Sequence, residues 1–244
     1  MNPTTLNLLA VSVFAFTLLS LVGPLLNISP NAVAIALTGI AGIFALDRFV
    51  AQGKGGNLLI DLVSSQSSDY RQRIVHHEAG HFLVAHLLDV PAESYTLSAW
   101  EAIKVGLPGL GGVVLNTALE PKEVAAAATE GTLSPQQLNR YCIIGMAGIA
   151  AETETYGSAE GGQDDQAQIR QLWQQAKKAE NAKAEGTIET QLRWALLQAQ
   201  TLIKAQSASY EALVSAMNER ASVADCQAQI EANRVETEPA STLK

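Results

Sequence analysis

The sequence predicts a mainly α-helical protein, with an N-terminal transmembrane helical hairpin followed by a helical domain that contains a small β element. Three observations predict it. Residues 1–46 contain no Asp, Glu, Lys or Arg. From Ser68 onward apolar side chains recur at helical spacing between capping residues, and only two short segments have strand composition. The 244 residues carry 16 basic and 24 acidic side chains, a net charge of −8, all of it placed after residue 46. An acidic balance with no clustered basic surface excludes a nucleic-acid partner. Cys142 and Cys226 lie far apart and outside any CxxC spacing, so neither a disulfide framework nor a thiolate zinc site is indicated, and a reducing compartment is the simpler expectation.

Leu6 to Leu26 is an uncharged apolar run which, at about 1.5 Å per residue, spans the roughly 30 Å core of a bilayer as a helix. A break at residues 27–31 contains Pro30, and a second uncharged run, Ala32 to Leu46, crosses if Arg48 snorkels to the interface. The short turn between the runs makes a hairpin of residues 1–51. No basic segment precedes the first run, which argues against a signal peptide. Arg48, Lys54, Arg71 and Arg73 all follow the second run, so the expectation is an integral membrane protein with its folded domain on the cytoplasmic or equivalent side. Residues 52–68 look like a linker. Gly53-Lys54-Gly55-Gly56 within it is not a phosphate loop, since GxxxxGK[ST] occurs nowhere in the chain and no nucleotide-binding residue is expected.

Ser68-Asp69 caps a helix whose apolar positions Ile74, Val75, Phe82, Leu83 and Leu87 carry it to about Leu88, with Pro91 limiting its extension. Tyr95–Ser98 and Gly112–Asn116 are strand-like pieces around a Gly/Pro-rich loop from Gly106 to Gly112. Ser134 followed by Pro135 opens a helix to about Tyr156, and its small apolar stretch Ile143–Ala151 should be buried. Further helices are expected at Asp164–Ala182, Thr187–Lys204 and Ser207–Arg220. The folded domain is thus placed at 69–220. A polar, flexible tail is expected at 221–244.

The chemistry lies in His77-Glu78-Ala79-Gly80-His81, an HExxH pentapeptide on a predicted helix. Histidines at i and i+4 face the same way one turn apart, so both imidazoles reach one Zn²⁺, while Glu78 is placed to take a proton from a water in an open coordination position. His86 lies about 140° around the helix from His81 and His76 has no metal role, so both are expected to be packing or surface histidines. A catalytic zinc needs a third protein ligand. The extended pattern HExxHxxGxxH fails, because Val84 stands at the glycine and Leu87 at the third histidine. An acidic ligand must come from downstream, and Glu152, Glu154, Asp164 and Asp165 are all candidates that spacing does not separate.

Val75–Ala85 resembles the active-site helix of the FtsH-type ATP-dependent zinc metalloproteases, which carry HEAGH followed by small and apolar residues. Ala147-Gly148-Ile149-Ala150-Ala151-Glu152, then Tyr156-Gly157, then Gly161-Gly162-Gln163-Asp164-Asp165, are similar to that family's GGRAAE, FG and GASND segments in the same order. The resemblance covers residues 69–220 and implies a zincin-type peptidase fold, with His77, His81 and Asp165 as zinc ligands, Glu78 as catalytic base and Glu152 beside the metal as a supporting residue. It implies a zinc metalloendopeptidase acting on unfolded or membrane-associated proteins. The AAA+ ATPase module of the family is missing between the hydrophobic runs and the peptidase segment, so activity independent of ATP is expected. Ile149 replaces the arginine of GGRAAE. Homo-oligomers or association with an AAA+ protease are the partners this resemblance allows, and a non-proteolytic interaction or assembly protein is the competing expectation.

Overall fold

The computed structural model describes residues 3–27, 29, 31–36, 38, 39, 42, 67–104, 111–115, 127, 130, 133–178 and 186–236. Its elements are helices α1 (Pro3–Val22) and α2 (Ser68–Leu87), strand β1 (Ala92–Thr96), helix α3 (Ala99–Lys104), strand β2 (Gly112–Leu115), and helices α4 (Pro135–Tyr156), α5 (Gln163–Lys178), α6 (Ile188–Ala205), α7 (Ser207–Asn218) and α8 (Val223–Ala232). They divide into two compact units, Met1–Arg71 with Ser98–Leu110, and Gln72–Leu97 with Gly111–Lys244.

In the first unit, among the described residues, no helix is long and apolar enough to cross a membrane. This overturns the expected transmembrane hairpin and the integral-membrane placement drawn from it. The physical reason is where α1 stops. The run that looks continuous in sequence is broken at Gly23-Pro24, where the backbone tightens into a 3-10 turn (Gly23–Leu26) closed by Asn27 in the left-handed region. The α-helix, Pro3–Val22, opens on Thr4, Thr5 and Asn7 and ends four residues before Leu26, so the apolar run and the α-helix do not coincide. Residues 31–36 are helical again, while most of the second run lies outside the described residues. The same holds for most of the linker at 52–68 and of the loop from Gly106. The short helix α3, absent from the sequence expectations, follows Ser98, whose hydroxyl accepts the Glu101 N–H.

The second unit is built around α4. Ser134 caps it in a capping box with Gln137, Pro135 occupies its first turn, and Gly157 ends it in the left-handed region at φ 76°. Its small side chains let neighbours approach closely. At the crossing of α2 and α4 a Cβ on Gly80 would stand 2.5 Å from the Ala147 carbonyl oxygen and 2.6 Å from the Ala151 Cβ, so only glycine fits there. This crossing sets the His77–His81 turn of α2 directly against α4. Phe82, Leu83, Val84 and Ala85 from α2 and Leu138, Cys142, Ile143 and Ala147 from α4 are fully or almost fully buried. α4 packs on α5 and α6, and α7 packs on α8.

The two strands pair antiparallel, Ser94 with Val114, Tyr95 with Val113 and Thr96 with Gly112, with an irregularity between Ala92 and Ser94. The Tyr95 ring meets Phe82 edge-on, and its hydroxyl donates to the Ala221 carbonyl. α8 falls where a flexible polar tail was expected. Ser222 caps it, Cys226 and Ile230 are wholly buried, and Gln206 pairs with both backbone groups of Val235 at 2.8 and 2.9 Å. Two apolar side chains one turn apart are enough to dock a short helix, a signal too sparse to stand out among its Gln, Glu and Asn neighbours.

Candidate metal centre

α2 places Arg73, His77 and His81 at four-residue intervals on one face. His77 Nε2 lies 3.1 Å from His81 Nε2 and 3.1 Å from Asp165 Oδ2, and His81 Nε2 lies 3.6 Å from the same oxygen. Ligand atoms about 2.0 to 2.2 Å from a tetrahedral zinc stand roughly 3.4 Å from one another, so the spacing of these three atoms fits one ion. No other cluster of this kind occurs among the described residues.

The Nδ1 atoms point the other way. His81 Nδ1 donates to the Ile144 carbonyl at 2.7 Å, and His77 Nδ1 donates to Glu152 Oε1 at 2.8 Å. When each ring is neutral and keeps its proton on Nδ1, the Nε2 lone pairs converge on the Asp165 side, the arrangement that outer partners impose on metal-binding histidines. Glu152 therefore sits behind His77 and Asp165 in front of it. Of the other sequence candidates, Glu154 pairs with Lys204 at 3.1 Å and Asp164 is exposed. His76 bonds the Tyr210 hydroxyl at 2.8 Å and meets Tyr156 edge-on, and His86 pairs with Glu231 at 2.7 Å, so neither contributes to the cluster.

Asp165 is brought in by the turn before α5. Gly162 holds φ +85°, and a Cβ there would run into the Ile149 side chain, while one on Gly161 would stand 2.8 Å from Glu152 Oε1 and 3.2 Å from His77 Nδ1. The Gly-Gly pair lets the backbone pass over the His77–Glu152 bond before α5 starts. Glu152 holds that turn by accepting the Glu160 and Gly161 N–H groups at 2.9 and 3.2 Å.

Electrostatics follow from this packing. Burial drives the Glu78 carboxyl up to about 7, against the opposing pull of both histidines, and its Oε2 is buried with no hydrogen-bond partner. Burial acts to lower the His77 pKa, but the Asp165 and Glu152 carboxylates outweigh it and hold the metal-free imidazole up at about 10. Burial opposes ionisation of Asp165 as well, yet His81 and His77 keep its carboxyl far below the usual carboxylate range.

Arg73 escaped the sequence expectations. Its Nη1 donates to Glu152 Oε2 at 3.4 Å and to the Ser158 carbonyl at 3.2 Å. The signal was available, since a basic residue four before an HExxH histidine shares its face. Its acidic partner, 79 residues away, was not. Neither a protein-family model nor a curated protein matches this chain.

Proposed function

We propose that this chain is a zinc-dependent endopeptidase of FtsH-like type that hydrolyses peptide bonds in unfolded proteins without an ATPase of its own. The observation that carries this reading is the convergence of His77, His81 and Asp165 on one point, with Glu78, whose buried Oε2 has no hydrogen-bond partner, on the same helix turn. The HEAGH, AGIAAE and GGQDD segments, in the order of the family they resemble, support it. When bound, zinc supplies a water acidified to a pKa of about 7 and polarises the scissile carbonyl.

The chain's own residues do the rest. Glu78 takes the proton of the attacking water and returns it to the leaving amide nitrogen. In the metal-free protein burial holds this carboxyl up at about 7, well above the usual carboxylate range, and a base raised in this way can also return the proton near neutral pH. Glu152 and the Ile144 carbonyl keep the two imidazoles oriented, and the half-buried Asp165 carboxylate balances charge at their Nε2 face.

The test is metal analysis of the purified chain with casein as substrate, beside the Glu78→Gln variant. One zinc per chain is expected in both proteins. Turnover should fall at least about 100-fold in the variant, the usual effect of removing a general base. Stoichiometric zinc without cleavage of any unfolded substrate would instead favour a non-proteolytic interaction protein.

A further inference from the structure

Resting on the zinc reading above, we infer that Arg73 is a positioning residue for the metal centre, acting through Glu152 and the turn at residues 158–160 to bring His77 and Asp165 together. The guanidinium is held on four sides. It donates to Glu152 Oε2 at 3.4 Å and to the Ser158 carbonyl at 3.2 Å, pairs with Glu160 Oε1 at 3.5 Å, and lies 4.3 Å over the Tyr156 ring. Tyr156 ends α4, and residues 158–160 begin the turn that delivers Asp165. One side chain therefore ties together α2, the end of α4 and the approach to α5.

Glu152 makes the link to the site. Its side chain is only 3% exposed, with Oε1 on His77 Nδ1 at 2.8 Å and Oε2 shared by Arg73 and the Glu160 N–H. A carboxylate so buried needs a countercharge on the oxygen turned away from His77, and among the described residues Arg73 is the cation that reaches it. Arg73 also sits one turn before His77 on the same helix, so clamp and ligand move as one body. It touches none of the three ligand atoms. Its effect on the metal must pass through the carboxylate and the turn. A planar fork serves three acceptors and a ring face together, which a lysine ammonium on a flexible stem cannot do.

The experiment uses the full chain and compares wild type with Arg73→Leu, Arg73→Lys, Glu152→Gln and the Arg73→Leu/Glu152→Gln double variant. Zinc dissociation constants are read by chelator competition, ligand geometry by the visible spectrum of the cobalt-loaded protein, and integrity by thermal melting of the metal-free forms. Arg73→Leu should weaken zinc about 10- to 100-fold, the usual effect of losing an outer support, and shift the cobalt bands. Arg73→Lys should recover part of that loss. The double variant should lose less than the sum of the two single losses, because part of the effect of Arg73 passes through the Glu152 carboxylate. Should Arg73→Leu fail to fold, Arg73→Lys carries the test: several-fold weaker zinc with a shifted spectrum supports the role, and wild-type values overturn it. Losses that simply add in the double variant, or weaker zinc with an unshifted cobalt spectrum, would also overturn it. A wild-type chain that takes up no zinc refutes the metal reading itself, whereas zinc-binding wild type with indistinguishable Arg73 variants refutes only the role of Arg73.

Discussion

His77 shows how a fold can fix both nitrogens of one imidazole at once. Its Nδ1 is committed to Glu152 and its Nε2 to the Asp165 side, so in the metal-free protein the ring bridges two carboxylates. Those carboxylates overcome the effect of burial and raise its pKa from 6.5 to about 10. The ion cluster therefore stabilises the metal-free fold fully below the ordinary imidazole pKa and loses that contribution as pH climbs through about 10. In acid the sign reverses, because Asp165 and Glu152, both held low, lose their contribution when they are protonated. Zinc requires the neutral imidazole, so at pH 7 its uptake must expel the proton on His77, and apparent affinity should fall about tenfold per unit of acidification for that proton. Calorimetry in buffers of different ionisation enthalpy measures the proton count directly. Zinc binding with no proton release would contradict this account of the site.

At the scale of elements, two devices hold the centre in place. The first is the α2–α4 crossing at Gly80, where helix backbones approach too closely for any side chain and the HExxH turn is pressed against Ile144 and Gly148. The second is the Gly161–Gly162 turn, which passes over His77 and starts α5 with Asp165 in its first turn. α8 has a different part. It lies far from the metal centre in sequence, yet it packs on α7 and β1 and buries Ile230 completely. Truncating a fully buried isoleucine to alanine costs about 2 to 5 kcal/mol, so Ile230→Ala should lower the unfolding free energy from urea titration by that amount, with a lower midpoint at unchanged slope, while leaving zinc stoichiometry unchanged. A substitution with no effect on stability would return the segment to the status of a polar tail.

At the scale of the whole molecule, the absence of any GxxxxGK[ST] sequence shapes the expected activity. A peptide must enter an HExxH cleft extended, and unfolding a typical domain costs about 5 to 15 kcal/mol, which this chain has no phosphate loop to draw from ATP. Casein should therefore be cleaved and a stable globular protein left intact, each to the same extent with and without ATP. ATP-stimulated degradation of the folded substrate by the purified chain alone would refute a motorless peptidase. The helical character after Ser68, the capped start of α4 and the placing of His77, Glu78 and His81 on one helix turn are legible in the chain, because caps and i, i+4 spacing are local properties. The sequence misled where hydrophobicity was read as length: a run of apolar residues does not show that Gly23-Pro24 ends the α-helix within it. Which acidic residue faces which side of His77 is set by long-range packing. Glu152 and Asp165 lie 75 and 88 residues beyond it, and which nitrogen each meets depends on how α4 crosses α2 and how a glycine turn folds back over that crossing. Arg73 belongs with them, since a cation's neighbours across 79 residues are set by packing and leave no periodic mark in the chain.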